Sequence, residues 1–241
     1  MIDRWPWTDD LGQMILVRWP WTDDLGQSSV WNLSPCNFHI RALKHVRPTL
    51  LRNTAATLAC HIRALRHARP TLSRNTTATL ACSIVQSWSD YCNSVFYGMS
   101  ESNVENLQTI QNKLARVVCG DCRLRSSKEM LMTLHCLQVR SCIKYKLAVL
   151  TYKALNIGQP VYLRDELSIY EPVGALRSSG TFQLQVPPTS TNIGRRAFRY
   201  SAPEIWNTLS YELWSASCIG TFRRSLKTHF FQTLGLPWRF N

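Results

Sequence analysis

Residues 102–120 read SNVENLQTIQNKLARVVCG, and this stretch decides the fold class. Its apolar residues recur at steps of three and four, which is the period of one buried face of an α-helix. Ser102 and Glu105 form a capping-box pattern at the start, and Gly120 stands where a C-terminal cap belongs. The stretch therefore predicts an amphipathic helix whose buried face holds Val104, Leu107, Ile110, Leu114 and Val117.

The same period continues on both sides of this helix. Upstream, a helix is predicted to follow the N-cap candidate Asn75 and to close at Gly98. Downstream, Ser126 and Glu129 repeat the capping pattern, and a longer helix is predicted to end near Gly158. The predicted buried stripes are Leu80, Ile84, Trp88, Tyr91 and Val95 in the upstream helix and Val139, Ile143, Leu147, Leu150 and Ala154 in the longer downstream helix.

The C-terminal part is less regular. Prolines interrupt residues 159–194, where alternation predicts only a short strand at 182–186. A capping box from Ser201 to Glu204, with Pro203 in its first turn, predicts a short helix. A last amphipathic helix holds Ile219, Phe222, Leu226 and Phe230. We expect a mostly α fold: an irregular extension over 1–38, a helical body over 39–156, and a loop-rich module with short helices over 157–241.

Two tandem repeats occur near the N-terminus. The decapeptide RWPWTDDLGQ stands at residues 4–13 and again at 18–27, and the segment 39–60 returns almost unchanged as 61–82. A stacked array normally needs at least three repeats, so we interpret the second pair as a segmental duplication within the helical body. Its copies differ only at Lys44/Arg66, Val46/Ala68, Leu51/Ser73 and Ala55/Thr77.

Composition indicates a globular, basic chain. Of 241 residues 45% are hydrophobic, and 28 lysines and arginines against 15 acidic residues give a formal net charge of +13. Such an excess favours polyanionic partners, nucleic acid first and an anionic membrane surface second. No apolar run approaches the roughly 18–20 residues of a membrane span. Nine cysteines at unequal spacings argue against a secreted disulfide framework, so we expect an intracellular protein of the nucleus or cytoplasm, with no membrane partner.

A series of short motifs runs through residues 61–235. It begins with Asp-Tyr-Cys-Asn-Ser at 90–94, Val-Phe-Tyr-Gly at 95–98, Leu-Gln-x-x-Gln-Asn at 107–112 and Ala-Arg-Val-Val at 115–118. It continues with Leu-His at 134–135, Tyr-Lys-Ala-Leu-Asn at 152–156, Tyr-Leu at 162–163, Arg-Ser-Ser at 177–179, Ala-Pro at 202–203 and Trp-Asn at 206–207. In this order the motifs resemble the region downstream of the polymerase palm in non-LTR retrotransposon (LINE-class) reverse transcriptases. The resemblance implies a thumb-like helical body and a nucleic-acid partner, RNA or DNA.

The chain also departs from that family. Cys136, Gln138 and Ser210 stand where the family has Trp, Pro and Pro, and the family has a single copy of the duplicated unit. The Asp-Asp pairs of the decapeptides resemble the family's metal-binding box, but in the family that box lies far upstream of the Asp-Tyr-Cys motif. We therefore expect no enzymatic activity and no catalytic role for Asp9, Asp10, Asp23 and Asp24.

A second set of side chains resembles a metal site. Cys119 and Cys122 form a Cys-x-x-Cys turn, and His135 and Cys136 follow. Adjacent His and Cys side chains rarely both reach one tetrahedral ion, so the second half lacks the spacing of a zinc site. We expect no metal and no cofactor.

Three groups of basic residues are the candidate nucleic-acid-binding site. The resemblance places them in the part of the family that would follow the primer–template duplex, where they would contact phosphates without reading sequence. Arg116 could instead pair with Glu105 or Glu129. The candidates are Lys113, Arg116, Arg123 and Arg125 near the end of the first helix described above, then Arg195, Arg196 and Arg199, and finally Arg223, Arg224 and Lys227 on the last helix.

Two functions from different classes remain open. The first is a catalytically empty fragment derived from a reverse transcriptase, with weak and sequence-independent binding to RNA or DNA. The second is a transposon-derived structural or interaction protein that self-associates through exposed apolar surface. A third alternative is an inert relic without a selected function. Strong salt-dependent binding would favour the first, and self-association the second.

Overall fold

The computed structural model describes residues 55–81, 96–120, 126–171 and 182–233. All of them belong to one unit of the chain, His39–Asn241. Of this described part, 71% is helical and 1% is strand, and it contains no sheet. The predicted mostly α class is therefore confirmed. The predicted extension over 1–38 lies outside the described residues.

We number the helices in chain order. Helix α1 covers 55–68, and a 3₁₀ turn at Arg69–Thr71 follows it. The next are α2 (Arg74–Leu80), α3 (Glu101–Cys119), α4 (Ser127–Thr133) and α5 (Val139–Tyr152), which continues into a π turn at Lys153–Ile157. After α6 (Val161–Arg164) come a 3₁₀ turn at Gly194–Arg196, α7 (Phe198–Trp206), α8 (Tyr211–Trp214) and α9 (Ile219–Thr233). None of the helices in the described ranges is long and apolar enough to cross a membrane.

Helix α1 runs across the boundary between the two duplicated copies. It ends at Ala68, because the ring of Pro70 prevents the chain from continuing as an α-helix. Helix α2 then begins after Ser73, whose hydroxyl accepts a hydrogen bond from the amide of Thr76 at 3.1 Å. The predicted N-cap Asn75 is wrong, because Ser73 caps the helix two residues earlier. Residues 82–95 of the predicted helix lie outside the described residues.

Helix α3 is the helix that residues 102–120 predict. It begins at Glu101 with Ser100 at the N-cap, so the predicted capping box of Ser102 and Glu105 does not start it. Its C-terminus agrees with the prediction, because Gly120 has a φ of +75° and donates its N–H to the carbonyl of Arg116 at 3.0 Å. The N-cap predicted for α4 is confirmed, since the Ser126 hydroxyl accepts a bond from the Glu129 amide at 3.2 Å.

The main core lies around α5. Its predicted stripe is confirmed, since Val139, Ile143, Leu147, Leu150 and Ala154 are all buried. Helices α3, α7 and α9 pack on α5, and Tyr152 stacks on Phe222 of α9 with ring centroids 4.3 Å apart. Side chains from both sides of residue 157 share this core. The last helix also buries three of its four predicted stripe residues, Phe222, Leu226 and Phe230.

The segment before α7 differs from the prediction in two ways. The predicted strand at 182–186 is reduced to one antiparallel bridge between Ile169 and Leu184, and Leu184 alone of its alternating residues is buried. The predicted capping box at Ser201 is also wrong. Helix α7 begins at Phe198, and Ser201 is buried inside the helix at 1% exposure, because this turn packs against the core.

Two side-chain amides of α3 fix the start of α5. The Gln111 amide nitrogen donates to the carbonyl of Leu137 at 2.8 Å, and the Gln108 side-chain carbonyl accepts from the amide of Val139 at 3.0 Å. The two glutamines also bond to each other at 3.0 Å. Val139 is the first residue of α5, so Gln108 satisfies an N–H that has no partner within its own helix.

Two side chains at the end of α7 hold the irregular segment. The Asn207 amide pairs with both backbone groups of Leu184, accepting from its N–H and donating to its carbonyl at 2.9 Å each. The indole nitrogen of Trp206 donates to the carbonyl of Phe182 at 2.8 Å. These bonds take the place of a strand partner for this part of the chain.

Replacing Gln111 with Leu should destabilise the fold. Gln111 is 8% exposed, and leucine would leave the Leu137 carbonyl without this donor. We expect the free energy of unfolding to fall by about 1–3 kcal/mol, measured by urea denaturation with an unchanged m-value. Asn106→Ala, at an exposed position of the same helix, is the control and should stay within about 0.5 kcal/mol of wild type. Equal midpoints for Gln111→Leu and wild type would contradict the structural role.

Candidate nucleic-acid interface

Eight of the ten predicted basic residues lie in the described ranges. Arg123 and Arg125 lie outside them. Lys113 and Arg116 are exposed on α3, whereas the second group lies on the 3₁₀ turn before α7 and on α7 itself. The third group lies on α9. The basic residues therefore occupy four different elements: α3, the 3₁₀ turn, α7 and α9.

The first group borders a groove between α1 and α3. This groove encloses about 650 Å³, and Lys113 and Arg116 line it together with Arg63, Arg66 and Arg69. Among the described residues, no carboxylate lines it. We call it the α1–α3 groove. The rest of its lining is Ala59, Ile62, Pro70, Ile110, Val117 and Gly120.

Helix periodicity places these cations at the groove. Arg63 and Arg66 are three residues apart on α1, as Lys113 and Arg116 are on α3, so each pair lies on one side of its helix. The two helices pack through an apolar face that adjoins the groove, so the charged side chains stay in solvent. That face consists of the buried side chains Leu58, Ile62, Leu65, Leu114 and Val118.

Arg69 is the anchored cation of the groove. Its Nε donates to the carbonyl of Val117 at 3.2 Å, and its Nη1 donates to the carbonyl of Leu72 at 3.0 Å. Val117 lies in the last turn of α3, where unpaired carbonyls attract a cation. A guanidinium has five N–H donors, so Arg69 keeps donors for an anion.

Arg116 is held more loosely. Its guanidinium lies 3.4 Å from the Ser127 hydroxyl, and in the described part of the chain it forms no ion pair with Glu105 or Glu129. An ion pair joins Arg140 to Glu101, and neither residue lines the groove. The groove cations are therefore not neutralised by a described carboxylate.

The second basic group lies beside the turn at Gly98. A Cβ atom built on Gly98, which has a φ of +69°, would lie 2.8 Å from Cγ of Arg196. The stem of Arg196 therefore lies where a side chain at position 98 would begin. Arg195 is exposed, and Arg199 borders a small cavity of about 140 Å³ together with Glu166. The carboxylate of Glu166 lowers the positive potential at this cavity.

The third basic group interacts with neighbouring titratable groups. Partial burial and the nearby Lys227 cation lower the pKa of His135. Hydrogen bonds from Thr221 lower the pKa of the exposed Cys218 thiol, and Arg224 adds to this effect. Neither the second nor the third basic group lines the α1–α3 groove.

The cysteine and histidine residues do not form a described metal site. Within the described ranges, no group of three or more His, Cys, Asp or Glu side chains is placed to hold a metal ion. Cys122 lies outside these ranges. The prediction that the chain binds no metal therefore stays a prediction.

The described residues form a mostly α fold with one groove that several cations line. No family model matches the chain, and no curated protein and no solved structure matches it.

The structure adds Arg63, Arg66 and Arg69 to the candidate interface. These arginines lie in the duplicated segment 61–82 and are not among the candidates that the sequence predicts. The sequence indicates these arginines only through their spacing of three residues in HIRALRHARP. This spacing places cations along one side of a helix. Their position opposite Lys113 and Arg116 depends on how α1 packs on α3, which the spacing does not contain.

Replacing Gly98 with Ala should destabilise the turn and displace Arg196. Alanine at positive φ is strained, and its Cβ atom would meet the Arg196 stem. We expect a loss of about 1–3 kcal/mol in the free energy of unfolding, measured by urea denaturation. The matched control is Gly220→Ala in α9, where the nearest atom to the added Cβ lies 3.9 Å away. That variant should match or exceed wild-type stability, and equal stability of Gly98→Ala and wild type would contradict the strain argument.

Proposed function

We propose that the chain binds RNA or DNA weakly and without sequence preference, through basic helices centred on the α1–α3 groove. The observation that carries the proposal is the convergence of Arg63, Arg66, Arg69, Lys113 and Arg116 on one groove. Cations on two facing elements attract a phosphate backbone, because each neutralised phosphate releases condensed counterions.

The lining favours phosphate contacts over base reading. Apart from its cations, the groove lining offers aliphatic side chains, a proline and a glycine. Base reading needs fixed donor and acceptor side chains at base edges, most often in a groove of the duplex. Phosphate contacts position a nucleic acid but carry no sequence information. Binding should therefore depend on charge and salt, and little on sequence.

We also propose that the chain is a fragment derived from a non-LTR retrotransposon reverse transcriptase and is not an enzyme. The support is that the described motif residues hold the fold together. Gln108 and Gln111 fix the start of α5, and Trp206 and Asn207 bind the irregular segment. Residues whose hydrogen bonds hold helices and loops in place are the residues that a shared fold requires. The Asp-Asp pairs of the decapeptides lie outside the described residues.

Lys113→Gln combined with Arg116→Gln should weaken nucleic-acid binding. The assay is fluorescence anisotropy of the purified chain with labelled RNA and DNA of two unrelated sequences, at about 50 and 200 mM salt. We expect wild-type dissociation constants of roughly 10⁻⁴–10⁻⁶ M for both sequences. The slope of log affinity against log salt should become shallower by roughly 1.4–1.8 in the variant, since each lost contact removes about 0.7–0.9.

The control variant removes the same charge elsewhere. Lys144→Gln combined with Arg164→Gln changes two exposed cations that do not line the groove. This variant should keep most of the wild-type salt slope. Equal losses in both variants would show that net charge, and not the groove, governs binding. A folded wild-type chain with no salt-dependent binding would remove the proposed function.

A specific observation favours the second candidate function, an interaction protein. Several large apolar side chains around the Ile169–Leu184 bridge are exposed, including Ile169 at 68% and Phe182 at 61%. Tyr170 and Val186 are also exposed there. Neighbouring exposed apolar side chains are typical of protein-binding surfaces.

Self-association would distinguish this candidate. If the surface pairs two copies, sedimentation velocity at about 5–100 µM should show a concentration-dependent dimer, a range typical of micromolar association. Ile169→Ser combined with Phe182→Ser should abolish the dimer and leave nucleic-acid binding unchanged. A monomer at every concentration would exclude self-association through this surface.

A further inference from the structure

We infer that the α1–α3 groove takes a single strand of nucleic acid in preference to a duplex. The inference rests on the proposed function and specifies its ligand. It is carried by three properties of the groove: its position between two packed helices, the distribution of its cations on both of them, and the chemistry of its remaining lining.

The position of the groove limits the width of its ligand. Helices that pack through a shared apolar face have axes about 8–10 Å apart. The major groove of B-DNA alone is about 12 Å wide, so a whole duplex is wider than the distance between the axes of two such helices. A duplex would touch only the rims of the α1–α3 groove. A single strand carries its phosphates on one flexible backbone, which can lie along the surface groove above the packed side chains and contact both helices.

The cations are distributed to follow such a backbone. Arg63 and Arg66 on α1 and Arg69 in the following turn extend along one side for about 9 Å, at 1.5 Å per residue. Phosphates of one strand are about 3.4 Å apart along the axis of a duplex and farther apart in an extended single strand, so this length corresponds to about two phosphates of a single strand. Lys113 and Arg116 face the same space from α3. A strand in the groove would therefore have cations on both sides.

The remaining lining determines the kind of single-strand binding. Proteins that hold single strands tightly add aromatic side chains on which bases stack. Among the described residues that line the groove, none is aromatic. Sugars and bases would meet the partly buried aliphatic side chains of Ile110 and Val117. Binding is then mostly electrostatic, tolerant of sequence and strongly weakened by salt.

The test compares one labelled oligonucleotide alone and annealed to its complement. The full-length chain is titrated into each at several salt concentrations, with fluorescence anisotropy as the readout. The groove variant is Arg63→Gln with Arg66→Gln, and the charge-matched control is Lys144→Gln with Arg164→Gln. Circular dichroism and urea denaturation check that all four exposed substitutions leave the fold intact.

We expect wild type to bind the single strand more tightly than the duplex. The groove variant should lose about 1.4 in the single-strand salt slope, since each of two lost contacts removes about 0.7. Its duplex binding should change no more than that of the control variant. Duplex binding that equals single-strand binding and falls equally in the groove variant would overturn the inference while leaving the proposed function in place.

Two further outcomes separate the inference from the proposed function. If wild type prefers the single strand but the groove variant behaves like the control, other cations bind the strand and the inference is wrong. If the folded chain binds neither form at low salt, the proposed function and the inference fail together.

Discussion

The interaction on which the rest of the structure depends is the buried amide contact between α3 and α5. Gln111 donates to the Leu137 carbonyl and Gln108 accepts from the Val139 amide, so two glutamines of one helix set where the next long helix begins. A buried polar group without a partner is costly, which makes this one register of α3 against α5 preferable to neighbouring registers. Helix α3 also packs on α1 through Leu114 and Val118. The amide contact therefore positions one side of the cationic groove relative to the main core.

Polar residues hold the fold where helix periodicity ends. Asn207 pairs with both backbone groups of Leu184, and the Tyr97 hydroxyl donates to the Glu204 carboxylate at 2.8 Å. Burial and this carboxylate raise the pKa of Tyr97, so the hydroxyl stays protonated and remains a donor. These residues lie in or beside the motifs that carry the family resemblance. Their contacts give the motifs a structural reason: they connect helices through segments that have no regular hydrogen bonding of their own.

The sequence predicts which segments are helical better than it predicts the residue at which each helix begins. The apolar stripe of α5 is buried as expected, and α9 buries three of its four predicted residues. Helix α3 buries only Leu107 and Leu114 of its five predicted residues, and its other buried residues are Gln111, Ala115 and Val118. A stripe of four or five residues still determines which side of a helix meets the core. Capping patterns are shorter, and a nearby serine can occupy the N-cap position instead, as Ser100 and Ser73 do, with a side-chain capping bond at Ser73 alone of these two. The strand at 182–186 rests on a still shorter alternation, and the Asn207 side chain supplies its partner. Of the groove cations, the sequence predicts only Lys113 and Arg116 on α3. The packing of α1 on α3 is a tertiary contact, which local sequence patterns do not specify.

The duplication gives a physical reason for much of the basic character of the chain. Each copy carries four cationic side chains and no carboxylate, so the additional copy supplies four of the thirteen net positive charges. Arg63, Arg66 and Arg69 of the groove correspond to Arg41, Lys44 and Arg47 of the first copy, which lie outside the described residues. Nonspecific affinity for nucleic acid grows with the number of neutralised phosphates. The duplicated segment contains a run with a cation at every third residue. Its duplication would therefore raise the affinity of the chain for a polyanion, even if no new specific binding site formed. Recognition of particular bases would need further changes, because contacts to phosphates alone carry no sequence information.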